Sequence, residues 1–291
     1  MKILAIGDFH GKICPNIKKV LEKKEYDTIL CAGDFTGMAK IRDIIFKSWK
    51  EEKAPWYEII GIKKAKRLLK EDFNLGVDIL KYLNSLRKKV FLVFGNSDYY
   101  RSWVFPKKKK GKLTYGYLEP LGCFNDVIKK LPNLNLIQKE KRKINNLIIG
   151  GHGEYLDVTI FVATNVLNET KEEHKIRLKR YKRRKKEVFD LFKGKKPDIF
   201  LIHYPPYKVL DIVKYKNSPL YKKHAGFEPY TQVIKEYKLF LVICGHMHEY
   251  QGIKKIGKSI MVNPGLAEKG RFAVIDVDSN KKKVKSVKFF R

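Results

Sequence analysis

The sequence has little cysteine, and its four cysteines lie far apart. They form no CxxC pair, which speaks against a cysteine-based metal site or a disulfide framework. Cys31 and Cys244 sit in apolar runs, where a free thiol packs as a small hydrophobic side chain. We therefore expect a reducing compartment and predict a cytoplasmic protein.

Long apolar runs are also missing from the chain. The longest falls far short of the roughly 20 residues that a membrane helix needs, so we expect no membrane span and no membrane partner. Asp8 and His10 interrupt the apolar stretch at the amino terminus before any cleavage-site pattern. We interpret this stretch as a first β-strand and not as a signal peptide.

Acidic residues are scarce: 31 Asp and Glu stand against 63 Lys and Arg, which gives a net charge of +32. This balance favours polyanionic partners at low salt. Two runs concentrate the positive charge, at residues 107–110 and 177–186. Each run is either solvated surface or a binding site for an anionic substrate or nucleic acid, and charge alone is compatible with both. No pattern indicates an oligomeric state.

What the chain does have is a set of metal-type residues, each placed just after a short apolar run. The runs are KILAI, TILCA, KVFLVF, DIFLI and LFLVIC, and they are typical of buried parallel strands. Ligand sites in open α/β sheets lie beyond the carboxyl ends of such strands. We therefore expect these residues to converge on one sheet edge: Asp8, His10, Asp34, Asn96, His203, His246 and His248.

These residue types indicate divalent metal ions. Asp8 and His10 are two residues apart, which in an extended strand directs both side chains to the same side. His246 and His248 repeat this spacing, and Asp34 has two carboxylate oxygens with which to bridge two ions. Imidazole nitrogens suit Mn, Fe, Zn, Co or Ni more than Ca. We predict two divalent ions, with Mn preferred.

Charge counting predicts the reaction. Asn96 adds a neutral amide oxygen, so Asp8 and Asp34 alone provide negative charge and leave two divalent ions with an excess of positive charge. Such a centre attracts an anionic phosphate ester. Two ions can share a hydroxide near neutral pH and stabilise in-line displacement at phosphorus, without a side-chain nucleophile.

A helical insert is expected at about 38–86, before the strand that leads to Asn96. Ile79, Leu80, Leu83 and Leu86 recur there at helical spacing. One face of this segment should therefore pack on the sheet.

Further patterns predict the remaining helices and strands along the chain. The basic segment at about 165–193 lacks internal Gly and Pro and is predicted to be helical. An irregular stretch is expected from Asn96 to about 125. Strand-like pieces between 253 and 290 predict a second sheet, and we predict a single domain over residues 1–291.

The ordered motifs resemble the calcineurin-like metallophosphoesterase family. They are GDFHG at 7–11, GD at 33–34, GNSD at 95–98, His203, GHMH at 245–248 and VNPG at 262–265. The resemblance implies an α/β fold, a four-layer αββα sandwich of two mixed β-sheets flanked by helices, with the dimetal site at the carboxyl ends of strands. It also implies two ligand sets that share Asp34. The first set is Asp8, His10, Asp34 and His248, and the second is Asp34, Asn96, His203 and His246.

Ser97 departs from the family pattern, because many of these phosphatases have a histidine there that is thought to protonate the leaving group. Serine donates a proton poorly at neutral pH. The next residue, Asp98, is predicted to be catalytic together with Asp34 and Asn96, and the resemblance implies that this position orients its neighbours more than it reacts. His152 and His224 are candidates for the missing acid, and each is alternatively a structural loop histidine. We predict a preference for aryl esters, nucleotides or pyrophosphate-type linkages over alkyl monoesters.

Residues after the Asn96 motif are candidates for substrate contact. Tyr99, Tyr100, Arg101 and Trp103 either stack a base and clamp a phosphate or only pack their loop. The favoured function is a metal-dependent phosphodiesterase, or a phosphomonoesterase on activated substrates, acting on nucleotide or nucleic-acid-like anions. The alternatives are a metal-binding scaffold with little turnover and a basic nucleic-acid-binding protein.

Overall fold

Two six-stranded β-sheets form the centre of the molecule in the computed structural model. The structure describes residues 1–38, 40–51, 56–99, 106–109, 112–115, 122–158, 160–161, 169–218 and 220–291. The first sheet has the strand order β14-β13-β1-β2-β3-β6, and the second has the order β11-β12-β10-β9-β8-β7. The strands are β1 (Lys2–Ile6), β2 (Thr28–Cys31), β3 (Val90–Leu92), β4 (Pro106–Lys109), β5 (Lys112–Tyr115), β6 (Leu134–Leu136), β7 (Glu140–Ile144), β8 (Leu147–His152), β9 (Ile199–Ile202), β10 (Leu241–Ile243), β11 (Gly252–Ile256), β12 (Ser259–Asn263), β13 (Phe272–Asp278) and β14 (Lys283–Phe290).

Helices cover the outer faces of the two sheets. They are α1 (Pro15–Lys23), α2 (Arg42–Glu51), α3 (Trp56–Ile59), α4 (Ile62–Ser85), α5 (Phe124–Ile128), α6 (Lys171–Asp190) and α7 (Glu228–Tyr237), with a short 3-10 helix at Ala267–Lys269. No helix in the described part of the chain is long and apolar enough to cross a membrane.

Both sheets are mixed. In the first, β1, β2, β3 and β6 run parallel, and β13 and β14 add an antiparallel edge. In the second, β8, β9, β10 and β12 run parallel between the antiparallel edge strands β7 and β11. The parallel strands therefore point their carboxyl ends to the same end of each sheet.

Alternation along the strands divides the apolar core into layers. In β1, Ile3 and Ala5 pack between the sheets, while Leu4 and Ile6 pack against the helices on the outer face. Strand β9 repeats this with Leu201 inside and Phe200 outside. Successive strand side chains point to opposite faces, so strands buried on both faces are apolar throughout.

The three large apolar clusters establish a four-layer sandwich. Residues of α1 and α4 join the outer face of the first sheet in one cluster, and residues of α6 and α7 join the outer face of the second sheet in another. The third cluster lies between the sheets. This is the predicted αββα arrangement, whereas the prediction of a single domain over 1–291 stays a prediction.

The described residues of the predicted helical insert form helices α2, α3 and α4. Its residues Ile79, Leu80, Leu83 and Leu86 are all buried in the cluster on the first sheet. The basic segment forms α6, which begins after Thr170: the Thr170 side chain and Glu173 form a capping box that fixes the start of the helix.

Two expectations about strands need correction. The stretch expected to be irregular contains the antiparallel strand pair β4 and β5, and α5 begins where that stretch ends. The carboxyl-terminal pieces do not all form the second sheet, because β13 and β14 pair with β1 and extend the first. Only β11 and β12 join the second sheet, where β12 lies parallel to β10.

Candidate metal centre

The predicted metal ligands lie together where the carboxyl ends of the two sheets meet. They follow β1, β2 and β3 of the first sheet and β9 and β10 of the second. Ligand atoms of Asp8, His10, Asp34 and His248 all lie within 4.8 Å of one another. These residues are the first of the two predicted sets.

The second predicted set is equally close. The Asn96 Oδ1 atom lies 2.8 Å from His203 Nε2 and 2.8 Å from His246 Nδ1. His203 Nε2 lies 3.6 Å from Asp34 Oδ2, so Asp34 connects the two sets. The assignment of individual ions to the two sets stays a prediction.

Tight turns, and not extended strands, aim several of these side chains. Asp8, His10, Asp34 and His246 all have a positive φ, at 58°, 48°, 53° and 67°. Strand β1 ends at Ile6, so the expectation that an extended strand aligns Asp8 with His10 was wrong. Positive φ is unfavourable for residues with a Cβ and is held here by the surrounding structure.

Two glycines leave room for these turns. Gly33 has a φ of 91°, and a Cβ there would collide with the backbone of Gly95 on the neighbouring turn. A Cβ at Gly37 would collide with the ring of His10. The glycines therefore permit close packing of chain segments around the centre.

The Asp98 carboxylate holds the turns at Asp34 and Gly95 in place through hydrogen bonds. Its carboxylate accepts hydrogen bonds from the backbone N–H groups of Asp34 (2.9 Å), Phe35 (2.8 Å) and Gly95 (2.7 Å), with a longer bond from Thr36. Burial, followed by the charge of Asp34, raises the pKa of Asp98 well above its ordinary value, and the N–H donors oppose that rise. The carboxylate faces backbone and not the cavity, so Asp98 positions Asp34 and is not a reacting group.

Hydrogen bonds behind the ligands set the ring orientations. His203 Nδ1 lies 2.8 Å from the carbonyl oxygen of Ala32, to which it donates a hydrogen bond. The other ring nitrogen, Nε2, faces the oxygens of Asn96 and Asp34. Acceptor atoms that converge in this way suit a cation, because a backbone partner of this kind fixes the tautomer of a metal-binding histidine.

The VNPG motif supports the centre from another loop. The backbone N–H of Ala267 donates to the Gly7 carbonyl, and that of Glu268 donates to the Asp8 carbonyl. Within the motif, the Asn263 carboxamide accepts from Gly265 N–H at 2.9 Å. The short 3-10 helix that follows the motif therefore holds the turn that carries Asp8.

Asp8 and His248 form an ion pair. Burial raises the pKa of Asp8, but His248 and the other nearby imidazoles outweigh it, so the pKa lies below its ordinary value. Burial lowers the pKa of His248, but the hydrogen bond to Asp8 and the Asp8 charge raise it overall. The two side chains approach to 3.6 Å. A divalent cation bound here would replace the His248 proton.

His10 is held between a second imidazole and a guanidinium. Its Nε2 lies 2.9 Å from His248 Nε2, and its Nδ1 lies 3.1 Å from Arg42 Nη2. Burial, followed by the charge of His248, lowers the pKa of His10 well below its ordinary value. His10 is therefore neutral near pH 7, the form in which imidazole binds metals.

The donor set fits divalent metal ions of the transition series. It combines buried imidazoles with carboxylate and amide oxygens, and Asp34 bridges its two halves. Imidazole-rich sites of this kind favour Mn, Fe, Co, Ni or Zn over Ca. The arrangement indicates a dinuclear centre, and the identity of the metal stays a prediction.

His152 lies outside the centre. It is fully buried, with Nδ1 at 2.7 Å from the Tyr230 hydroxyl and Nε2 at 3.5 Å from a Glu187 carboxylate oxygen. A proton donor must reach the leaving group. The packing therefore gives His152 a structural role and argues against its assignment as the general acid.

His224 lies at the edge of the site. Its Nδ1 is 2.7 Å from the buried carboxylate of Asp211, and its ring packs on that of Tyr207. The next residue, Ala225, lines the cavity beside the centre, whereas His224 does not. A role for His224 as a proton donor stays a prediction.

A cavity of about 850 Å³ opens at the centre. Ser97 lines it, with Oγ at 3.5 Å from Asn96 Nδ2. Arg42, Tyr155 and Tyr204 also line the cavity and were missed by the sequence reasoning. Arg42 begins α2 and no metal-site spacing marks it, whereas Tyr204 directly follows His203.

Other candidates are separated from the cavity. Tyr99 is fully buried, and its hydroxyl donates to Asp72 at 3.0 Å, so it packs its loop and does not stack a base. Residues 100–105 and Lys110 lie outside the described part of the chain. The basic run at 107–109 forms β4, and the run at 177–186 lies within α6, where Arg177 reaches the cavity.

The motifs, fold and clustered ligands define a metallophosphoesterase. The family model of the calcineurin-like phosphoesterases matches residues 1–250, and the chain belongs to this family. The chain is 26% identical over 273 residues to the uncharacterized protein MJ1162 of Methanocaldococcus jannaschii, a match that covers 91% of this chain and 88% of that protein.

Solved structures share the fold. One crystal structure has a TM-score of 0.64 and 18% identity, with 100% of this chain and 98% of that chain covered. Protein TT1561 of Thermus thermophilus has a TM-score of 0.52 and 16% identity, with coverage of 99% and 97%. At these identities the likeness concerns the fold alone.

Proposed function

We propose that this protein is a dimetal-dependent phosphodiesterase that also hydrolyses activated phosphomonoesters. The observation that carries the proposal is the convergence of both ligand sets at a cavity large enough for an organic phosphate ester. When bound, the two ions supply positive charge for the phosphate and a nucleophile at neutral pH. Manganese is the proposed metal.

The protein's own residues orient the substrate and the ligands. Asp98 holds the turn of Asp34, and Ala32 fixes the His203 ring, so neither ligand has to reorganise during the reaction. The Arg42 guanidinium lines the cavity next to His10 and is the proposed donor to a phosphate oxygen.

The leaving group sets the proposed preference for aryl esters and pyrophosphate-type linkages, whereas the net charge of +32 supports nucleic-acid-like anions as the wider substrate class. Ser97 lines the cavity where the resembling phosphatases carry a histidine, and serine donates a proton poorly. Aryl and nucleotide leaving groups need little protonation, whereas alkoxide groups need much. The proposed substrates are therefore nucleotide or nucleic-acid-like esters. A cytoplasmic location is part of the proposal and is supported by free cysteines, two of them buried.

A second candidate function is binding of nucleic acid by α6. The exposed lysines of this helix recur at spacings of three and four residues and form a stripe along one face. The stripe consists of Lys171, Lys175, Lys179, Lys182 and Lys186. Arg177 of the same helix lines the cavity but lies on the helix face opposite the stripe, so the stripe would bind a polyanion on the outer side of α6.

The proposal is tested by hydrolysis of bis-p-nitrophenyl phosphate and p-nitrophenyl phosphate with Mn²⁺ and with a chelator. We expect metal-dependent turnover with the diester hydrolysed faster. Asn96→Ala removes the oxygen that joins His203 and His246 and should lower kcat/KM by at least about 100-fold.

The matched control is Asn280→Ala, an exposed asparagine in the β13–β14 turn. It should keep wild-type rates and wild-type metal content. Equal rates with and without chelator would contradict a metal-dependent enzyme. Two bound metals without turnover of either ester would support the scaffold instead.

A further inference from the structure

We propose that the cavity contains a subsite for a planar aromatic group of the substrate, next to the metal centre. The inference rests on the proposed function, because it places the phosphate at the metal ligands. It names the substrate class as phosphate esters with an aryl or heteroaryl body.

The cavity is much larger than a phosphate group needs. Its volume of about 850 Å³ falls in the upper part of the range for sites that enclose whole organic ligands, roughly 300–1,000 Å³. The predicted metal ligands that line it are His10, Asp34, Asn96, His246 and His248. The remaining lining must therefore contact the organic part of the ester.

A separate apolar wall lines this remaining space. Val213, Ala225 and Met247 form a buried cluster with Leu220 packed against it, and all four line the cavity. This cluster is distinct from the three large clusters that hold the sheets and helices together. Leu220 is only partly buried, so a ligand that covers it removes apolar surface from water, while the buried members of the cluster give the wall its apolar contact surface.

The wall is continuous with the metal centre. Met247 lies between His246 and His248 in the sequence, so the wall and two ligands share one turn. The Tyr204 ring lies 4.1 Å from the His246 ring, at an interplanar angle of 38°. An ester whose phosphate lies at the ligands therefore has its organic group within reach of apolar and aromatic surface.

The composition of the lining favours a ring over an acyl chain. Tyr155 and Tyr215 line the cavity with about 40% of each residue exposed, and aromatic side chains stack on planar groups. Asp43 and Glu249 place carboxylates at the same cavity, where a heteroaromatic N–H finds an acceptor.

Binding of phosphonates tests the subsite without relying on turnover, because a P–C bond is not hydrolysed. The probes are methylphosphonate, phenylphosphonate and octylphosphonate, titrated by calorimetry into the Mn²⁺-loaded protein. We expect phenylphosphonate to bind about tenfold more tightly than methylphosphonate, as burial of a ring predicts.

Two substitutions at Leu220 change the wall while the metal ligands stay. Leu220→Ser removes apolar surface and should reduce the preference for phenylphosphonate at least threefold. Leu220→Trp fills the space and should abolish the preference, with methylphosphonate binding unchanged. The matched control is Ile176→Ser, an exposed apolar residue of α6 that does not line the cavity.

The possible outcomes test the aromatic subsite separately from the proposed enzyme activity. Equal binding of the phenyl and methyl probes, or an unchanged preference in both folded Leu220 variants, would overturn the subsite. Tighter binding of octylphosphonate than phenylphosphonate would overturn the choice of a ring. A preserved phenyl preference without hydrolysis of any ester would leave the subsite standing and would refute only the proposed enzyme activity.

Discussion

At the scale of single residues, the centre depends on backbone conformations that the chain adopts at a cost. Asp8, His10, Asp34 and His246 each have a positive φ, and such conformations cost on the order of 1–3 kcal/mol apiece. The hydrogen bonds from backbone N–H groups to the Asp98 carboxylate help to offset this cost. Rigid turns hold the ligand atoms close together before any substrate binds.

Ser97 is the residue whose replacement should change specificity. Ser97→His places an imidazole at the cavity beside Asn96, where a proton donor can reach the leaving group. Hydrolysis of an alkyl monoester such as glycerol 2-phosphate should rise about tenfold or more, because general acid catalysis contributes on the order of 10²–10⁴. The measurement is kcat/KM for this ester and for p-nitrophenyl phosphate.

Ser97→Ala serves as the control for this substitution. It should leave the ratio of the two kcat/KM values unchanged, since the hydroxyl is not expected to donate the proton. Unchanged turnover of the alkyl ester in Ser97→His would show that Ser97 does not explain the leaving-group preference.

The sequence identified which residues cluster but not how each is held. Strand-end placement was sufficient to bring Asp34 and Asn96 together, because parallel strands end at a common edge. It could not show that Asp98 faces backbone or that His152 is buried against Tyr230. Those roles depend on hydrogen-bond partners far away in the sequence, which local patterns do not encode.

At the scale of elements, a buried ion-pair network docks the basic helix α6. Arg184 is 4% exposed and pairs with Glu154 at 2.7 Å and with Glu187 at 2.9 Å. Lys139 approaches both carboxylates, at 3.3 Å and 3.5 Å. The network connects α6 to the loop after β8, so a helix rich in positive charge is held through the buried carboxylate of Glu154.

Glu187 should make the stability of this docking depend on pH. Burial raises its pKa, but hydrogen bonds from His152 and Arg184 and the charges of Arg184 and Lys139 lower it from the ordinary 4.5 to about 2. A depressed pKa gives stability that is present above the unfolded value and is lost as the pH falls from 4.5 toward 2. Because Glu187 is partly exposed and solvent screens its charge, we expect its depressed pKa to contribute about 1.5 kcal/mol to the free energy of unfolding at neutral pH.

Glu187→Gln should therefore lower the free energy of unfolding at pH 7 and reduce its loss on acidification. Urea denaturation at pH 7 and at pH 3 measures both effects. The control is Glu172→Gln, an exposed carboxylate of the same helix that is absent from the network. An equal effect of the two substitutions would contradict the assigned role of Glu187.

Whether a segment forms a helix or a strand was easier to predict from the sequence than which strands pair with each other. The 3.6-residue spacing of Ile79, Leu80 and Leu83 was sufficient to predict α4, because the period reports directly on the buried face. The alternation in β13 predicted a strand but not its partner. Lys2 of β1 pairs with Asp276 of β13, and no local signal spans that distance along the chain.

At the scale of the whole molecule, the metal centre requires both sheets. The first sheet supplies Asp8, His10, Asp34 and Asn96, and the second supplies His203, His246 and His248. The sequence predicted convergence on one sheet edge, whereas the structure places the ligands where the two edges meet. Apolar strands look alike in either sheet, so their assignment depends on the packing of the complete core.

The excess positive charge is a property of the whole surface. A net charge of +32 attracts polyanions to many sites at low salt, and only part of it lies on α6. Specific binding by α6 is therefore recognised from the number of phosphates that the helix contacts. Affinity at one salt concentration does not distinguish it from the general attraction of the net charge.

Removal of the α6 stripe should reduce the salt dependence of nucleic-acid binding. Each contact with a single-stranded phosphate contributes about 0.7 to the slope of log K against log salt. The triple substitution Lys175→Gln, Lys179→Gln and Lys182→Gln should thus lower the slope by about 2, measured by fluorescence anisotropy with single-stranded DNA. The charge-matched control replaces Lys254, Lys255 and Lys258, which are exposed on and next to β11. Equal slopes in the two triple variants would mean that the charge acts as a diffuse field, whereas a drop confined to α6 would make the outer face of this helix a specific polyanion-binding surface.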